Sequence, residues 1–123
     1  MMGTRSGDLD PGAVFYLIAD GLSPSATKKV LNEQAGLFGV SGISSNMQDL
    51  LDKAANAPHA AEAVTLFCYQ AKKFLGSVTA VLGGIANLVF KAGMRPNAHT
   101  LRSRMCAGFE VFGFRFDSVR NKL

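Results

Sequence analysis

The chain has 123 residues, enough for one domain of ordinary size with a hydrophobic core. A hydrophobic fraction of 48% beside 18% charged residues argues against intrinsic disorder, and two cysteines do not make a disulfide framework. The net charge of +4 comes from residues 91–123, where basic side chains outnumber acidic ones. This end either binds an anion, such as a nucleotide or a nucleic acid, or forms a solvated surface.

Cysteine usage and the absence of long apolar runs indicate the cellular compartment of the protein. Cys68 and Cys106 stand among apolar residues, which predicts buried, reduced thiols and a cytoplasmic protein. The N-terminus shows no basic segment followed by an apolar run, so we expect no signal peptide. The uncharged residues 76–90 are too few to cross a bilayer, and we expect no membrane partner.

Two helices are predicted near the N-terminus. Asp10 and Ser23 each precede a proline, and a capping side chain followed by proline is typical of a helix start. The first of these helices should end near Gly21. Residues 44–46 can cap a further short helix. The chain before that helix is predicted to form turns because three glycines interrupt it: Gly36, Gly39 and Gly42.

The longest predicted helix begins near Pro58, because apolar residues recur at three- and four-residue steps from there to Val78. Gly83 and Gly84 should end it. The remaining chain is predicted to form a short buried strand, a turn, a final helix and a last strand, at residues 87–90, 92–93, 97–112 and 114–117. Helices followed by strand–loop–helix–strand indicate an α/β fold.

Two segments carry residue types suited to phosphate chemistry. Arg5 lies in a glycine-punctuated loop, where its guanidinium can hold phosphoryl oxygens or pair with Asp8 or Asp10 to brace the loop. Residues 89–97 place a glycine turn between a predicted strand and a predicted helix, which favours anions. The second signal is weak on its own, since no Walker or dinucleotide fingerprint follows. No spacing of histidines and cysteines predicts a metal site.

Taken together, these segments resemble the C-terminal half of an acetate kinase, in order and over nearly the whole chain. The sequence MGTRSGDLDPG at residues 2–12 matches the arginine loop of that family. Four further stretches resemble family segments, at residues 41–51, 66–69, 89–97 and 102–108. The resemblance implies a helix-rich, partial α/β domain of the actin-like, sugar-kinase-like (ribonuclease H-like) fold over residues 1–123. It also implies that the family's N-terminal domain and C-terminal tail are absent.

The resemblance implies phosphoryl transfer between ATP and acetate, with Mg²⁺, in an enzyme that is usually a homodimer. By this match Arg5 is the catalytic residue that stabilises the transferring phosphoryl group. The nucleotide-binding positions are Asn46, Met47, Gln48, Gly93, Met94, Arg95, Pro96 and Asn97. The departures from the family fall at these positions: Asp-Met-Arg has become Asn-Met-Gln, and Gly-Ile-Gly-Glu-Asn has become Gly-Met-Arg-Pro-Asn.

Because half a cleft cannot hold both substrates in register, we expect the chain alone to have no acetate kinase turnover. The departures predict that its affinity for ATP and Mg²⁺ is weak or lost. One alternative is a non-catalytic module that binds nucleotide, forms a homo-oligomer or docks on a complete kinase subunit through the long helix. The other is a small basic protein that binds nucleic acid through residues 91–123. It ranks last, because the phenylalanines in that stretch follow core alternation.

Overall fold

The computed structural model describes residues 1–90 and 98–122. The chain divides into two compact units, Met1–Phe67 and Cys68–Leu123. The α-helices, numbered in chain order, are α1 (Pro11–Ala19), α2 (Pro24–Glu33), α3 (Gly36–Ser41), α4 (Met47–Lys53), α5 (Pro58–Leu82) and α6 (Ala98–Cys106). Two 3₁₀ helices follow, at Phe109–Phe112 and Arg120–Lys122. Within the described residues, no helix is long and apolar enough to cross a membrane.

The predicted helix starts are confirmed by their caps. The Asp10 carboxylate accepts a hydrogen bond from the Gly12 backbone N–H at 2.6 Å, and α1 begins with proline. The Ser23 hydroxyl accepts one from the Ala26 N–H at 3.2 Å at the start of α2. Each cap satisfies a backbone donor that the first turn leaves free. The long helix is confirmed as well, and it ends at Leu82 before Gly83 and Gly84.

The turns predicted at the glycines from 36 to 42 are wrong, since these residues form the short helix α3. Gly36 has φ +65° and starts the helix, and Gly42 has φ +63° and ends it. The Gly42 N–H donates to the Phe38 carbonyl at 2.7 Å, which closes the last turn. Two glycines with left-handed backbone conformation therefore mark the two ends of a helix here, and they do not break the segment into turns.

Neither strand predicted near the C-terminus forms in the described residues. Residues 87–90 and 114–117 are irregular, and Val89 is 83% exposed. A strand is stabilised by ladder hydrogen bonds to a neighbour. Residues 87–90 and 114–116 make no backbone–backbone hydrogen bond with another described residue. The alternating pattern is present in the sequence, but the described part of the chain supplies no partner strand.

The final helix was predicted to reach residue 112, but α6 ends at Cys106. Gly108 takes φ +84°, and the chain continues as the 3₁₀ helix Phe109–Phe112. A left-handed glycine ends an α-helix because the next residues no longer continue its hydrogen-bond ladder. The turn predicted at residues 92–93 lies outside the described residues.

Each unit has its own small core. In the first, the most buried apolar side chains are Leu37, Leu50, Ala60, Ala63 and Val64. In the second they are Cys68, Leu101, Met105, Cys106 and Phe109. Both cysteines are free and buried, as predicted. Burial raises the pKa of each thiol, because the thiolate would lose its hydration.

Replacing Thr27 by valine is expected to stabilise the protein. Thr27 on α2 is only 3% exposed, and its hydroxyl has no hydrogen-bond partner among the described residues. Valine has the same shape without the unpaired polar group, so we expect a gain of about 1 kcal/mol in the free energy of unfolding. Urea denaturation measures this value.

The matched control is Thr79→Val on α5. Thr79 is equally buried at 2% exposure, but its hydroxyl donates to the Leu75 carbonyl at 2.7 Å. That substitution removes a satisfied hydrogen bond and should be neutral or destabilising. If both variants changed stability alike, the unpaired Thr27 hydroxyl would not be the cause.

Candidate functional site

The loop that carries Arg5 is held by its backbone against residues 31–38. Within the loop, the Met2 N–H donates to the Arg5 carbonyl at 3.1 Å. Four further backbone hydrogen bonds join the loop to these residues. The Ser6 N–H donates to the Leu31 carbonyl at 3.0 Å. In the other direction, at 2.9 Å each, the Ala35 N–H donates to the Thr4 carbonyl, the Leu37 N–H to the Met2 carbonyl and the Phe38 N–H to the Gly3 carbonyl. The backbone is thereby fixed while the Arg5 side chain remains exposed. A fixed base under a free guanidinium suits recognition of an anion.

Arg5 does not brace the loop through an ion pair. It lies beyond 4 Å of every described carboxylate, so the alternative pairing with Asp8 or Asp10 is not formed. The Asp10 carboxylate caps α1. The loop is instead braced by its backbone, and no described carboxylate neutralises the charge of Arg5.

Two serine hydroxyls stabilise the turn before α4 through hydrogen bonds. The Ser41 hydroxyl, 4% exposed as a residue, donates to the Ser44 carbonyl at 3.2 Å and accepts from the Ile43 N–H at 3.1 Å. The Ser44 hydroxyl donates to the Asp49 carboxylate at 2.7 Å and accepts from the Asn46 N–H at 3.1 Å. These bonds fix the backbone of the turn that leads into residues 46–48.

Asn46 and Gln48 already have partners inside the chain. Asn46 is the N-cap of α4, and its side-chain oxygen accepts from the Gln48 N–H at 2.8 Å. The Gln48 side-chain amide donates to the Asp52 carboxylate at 2.7 Å, one helical turn ahead. Met47 is half-buried. Asparagine and aspartate cap a helix about equally well, so the family's aspartate could be lost here without losing the cap.

The arginine loop and the turn before α4 touch. A Cβ atom on Gly3 would lie 2.9 Å from the Ser45 carbonyl oxygen, so the two backbones approach as closely as glycine allows. Arg5 and residues 46–48 therefore belong to one unit and to adjoining segments. The other predicted positions, residues 93–97, lie outside the described residues.

The described residues offer no ready site for the family's Mg²⁺. No group of three His, Cys, Asp or Glu side chains in residues 1–90 and 98–122 is placed to hold a metal ion. The carboxylates nearest the predicted positions in sequence, Asp49 and Asp52, already accept hydrogen bonds from Ser44 and Gln48. Among the described residues, the exposed Arg5 guanidinium forms no ion pair, and the side chain of Asn46 is engaged only through its oxygen.

One cluster was missed by sequence reasoning. Asn121 accepts from Arg102 Nε at its side-chain oxygen and from Arg102 Nη2 at its carbonyl, both at 2.6 Å. Its side-chain amide donates to the His99 carbonyl at 2.8 Å and to the Ser103 hydroxyl at 3.1 Å. This Asn121 clamp fastens the last 3₁₀ helix to α6. It engages Arg102, a basic residue that a nucleic-acid site would need free.

The sequence of the chain is similar to that of known proteins of one family. The sequence model of the acetokinase family matches residues 1–123. The chain is 40% identical over 124 residues to an acetate kinase of Porphyromonas gingivalis, and 42% identical over 125 residues to one of Solibacter usitatus. The matches cover 99% and 98% of this chain but 31% and 30% of those relatives, so the chain spans about a third of their length.

Solved structures agree with the sequence comparison. The crystal structure of Porphyromonas gingivalis acetate kinase superposes with a TM-score of 0.92 at 40% identity, over 99% of this chain and 31% of that one. A propionate kinase from Francisella tularensis superposes with a TM-score of 0.88 at 31% identity, over 98% of this chain and 32% of that one. The fold of this chain is thus that of the matching third of such kinases.

Proposed function

The chain belongs to the acetokinase family, and we propose from this premise that it is part of an acetate-kinase-type phosphotransferase whose nucleotide-binding segment at residues 46–48 has lost its charges. The reaction is phosphoryl transfer between ATP and acetate, with Mg²⁺, in the cytoplasm. Residues 1–123 correspond to part of the C-terminal domain. By themselves they do not turn over, because half a cleft cannot hold both substrates in register.

The observation that carries the proposal is the arginine loop. The Arg5 segment matches the family motif, its backbone is fixed at both sides, and its guanidinium is exposed without an ion-pair partner among the described residues. An arginine so placed can stabilise the charge that spreads over a transferring phosphoryl group. Asn46 and Gln48 bind nucleotide weakly, because their side chains supply no charge to the phosphates.

The nucleic-acid alternative has less support. Arg102 is half-buried in the Asn121 clamp, and Arg120 lies 3.5 Å from the Asp117 carboxylate. Two cations of the basic end are therefore already paired within the chain. Phe109 is buried against Phe112, with ring centroids 5.6 Å apart, and so cannot serve as a stacking platform for bases.

The double substitution N46D/Q48R is expected to raise the affinity for Mg-ATP. It returns the family's aspartate and arginine, and aspartate keeps the cap of α4. One charge-assisted hydrogen bond from arginine is worth about 1.5–3 kcal/mol, which corresponds to roughly ten- to a hundredfold in the dissociation constant. A thermal melt with and without Mg-ATP measures the gain, since a ligand of the folded state raises the midpoint.

The matched control is N32D/Q34R at the exposed C-terminal end of α2, where Gln34 is the capping residue, and it makes the same two changes at the same spacing. It should leave the Mg-ATP shift as in the parent chain. Arg5→Ala in the N46D/Q48R background should reduce the shift. The proposed site fails if N32D/Q34R shifts the midpoint as much as N46D/Q48R, or if neither does. A coupled assay that found Mg-ATP- and acetate-dependent product from the parent chain would refute the lack of turnover.

A further inference from the structure

The hydroxyl of Ser41 is buried at the end of α3 and is fully used inside the chain. Ser41 is the last residue of α3 and is 4% exposed. Its hydroxyl donates to the Ser44 carbonyl at 3.2 Å, and it accepts from the Ile43 N–H at 3.1 Å and from the Ser44 N–H at 3.3 Å. A hydroxyl has one donor and two acceptor positions, so Ser41 has none left for a ligand. Its contribution therefore passes through the turn that it holds.

That turn contacts the arginine loop at Gly3. A Cβ atom on Gly3 would lie 2.9 Å from the Ser45 carbonyl oxygen and 3.4 Å from the Ser45 Cβ, so no side chain fits between the two segments. The Gly3 carbonyl also accepts from the Phe38 N–H of α3 at 2.9 Å. Gly3 is thus held by α3 through a hydrogen bond and by the turn after α3 through close packing. A shift of the turn must displace the loop, because closely packed atoms transmit strain.

The same turn adjoins both parts of the candidate site. Arg5 stands two residues after Gly3, and Asn46 directly follows Ser45. We propose that Ser41 is a positioning residue, which sets the Arg5 guanidinium relative to residues 46–48 by fixing this turn. The inference rests on the proposed function, in which these groups serve one phosphoryl substrate. A misplacement of about 1 Å can cost about a hundredfold in rate when a reaction depends on orientation.

Hydrogen exchange separates this role from a local one, because a serine that only stabilised its own turn would leave the arginine loop unchanged. The reporters are the Ser6 and Ala35 amides, which form two of the hydrogen bonds that anchor the loop. The reference is the Gln34 amide, which bonds within α2. Global unfolding accelerates all three alike, so the rate of the reporters relative to Gln34 isolates the loop. Ser41→Ala should raise this ratio about fivefold, the effect of losing one hydrogen-bonding group.

Two further variants serve as comparisons. Ser41→Thr keeps the hydroxyl and should return the exchange ratio to that of the parent chain. Ser77→Ala also removes a serine hydroxyl that donates to a backbone carbonyl, that of Phe74 at 2.8 Å in the second unit, and should leave the ratio unchanged. In the N46D/Q48R background, Ser41→Ala should weaken Mg-ATP binding by about tenfold, and Ser41→Thr should restore it.

The proposal is refuted if Ser41→Ala leaves the exchange ratio unchanged, if Ser77→Ala raises it equally, or if Ser41→Thr exchanges as fast as Ser41→Ala. It is also refuted if N46D/Q48R binds Mg-ATP equally well before and after Ser41→Ala. If N46D/Q48R binds no Mg-ATP, the proposed function fails. The exchange ratio needs no ligand, so it still decides whether Ser41 positions the arginine loop.

Discussion

Gly36→Ala is expected to release the arginine loop and to cost about 3 kcal/mol or more of unfolding free energy. A Cβ atom at Gly36 would collide with the Met2 carbonyl oxygen and lie 2.8 Å from that of Arg5. Both are backbone atoms and cannot rotate away. Gly36 also has φ +65°, where alanine is strained. Urea unfolding gives the cost, and hydrogen exchange at the Leu37 and Phe38 amides, which bond to the loop, reports its release.

Gly42→Ala is the matched control for this collision. Gly42 has nearly the same φ, +63°, but a Cβ atom there would meet nothing within 4 Å. It should cost only the conformational strain, about 1–2 kcal/mol, and leave the Leu37 and Phe38 amides protected. Equal costs and equal exchange in the two variants would show that the loop does not depend on the space at Gly36.

Leu50→Ala is expected to destabilise the protein by about 3 kcal/mol. Leu50 lies on α4 and is fully buried, so its truncation loses apolar burial and leaves a cavity. The loss should also loosen α4, whose first turn holds Asn46 and Gln48. Leu82→Ala is the control, because Leu82 is 72% exposed and its truncation should change stability by less than about 0.5 kcal/mol. A small loss at Leu50 would mean that α4 is not anchored through this side chain.

Local signals were enough to predict most helices of the fold. The caps at Asp10 and Ser23 and the apolar repeat of α5 act within a few residues, so the sequence displays them directly. The strands failed because pairing depends on a neighbour that the pattern does not name. Gly36 was misread for a related reason. Its positive φ serves a contact with the distant arginine loop, which no local rule reveals.

In the candidate site too, some features could be predicted from the sequence and others could not. Arg5 could be singled out from its glycine-rich loop and from the family resemblance, and the cap at Asn46 lies within residues 44–46, which were predicted to cap a short helix. The hydrogen bonds that anchor the loop, and the partners of Asn121, join residues far apart in sequence. Such contacts depend on tertiary packing, and single-sequence patterns do not encode them.

The cap at Asn46 separates what the fold requires at this position from what ligand binding would require. Capping needs only a side-chain oxygen, whereas binding a metal–nucleotide complex needs charge. Asn46 supplies the oxygen but carries no charge, and its bond to the Gln48 N–H caps α4. A mutation of this kind is almost silent to folding and to cellular quality control. Substitutions that keep a capping oxygen while removing a charge can therefore be tolerated by the fold, whatever they do to ligand binding.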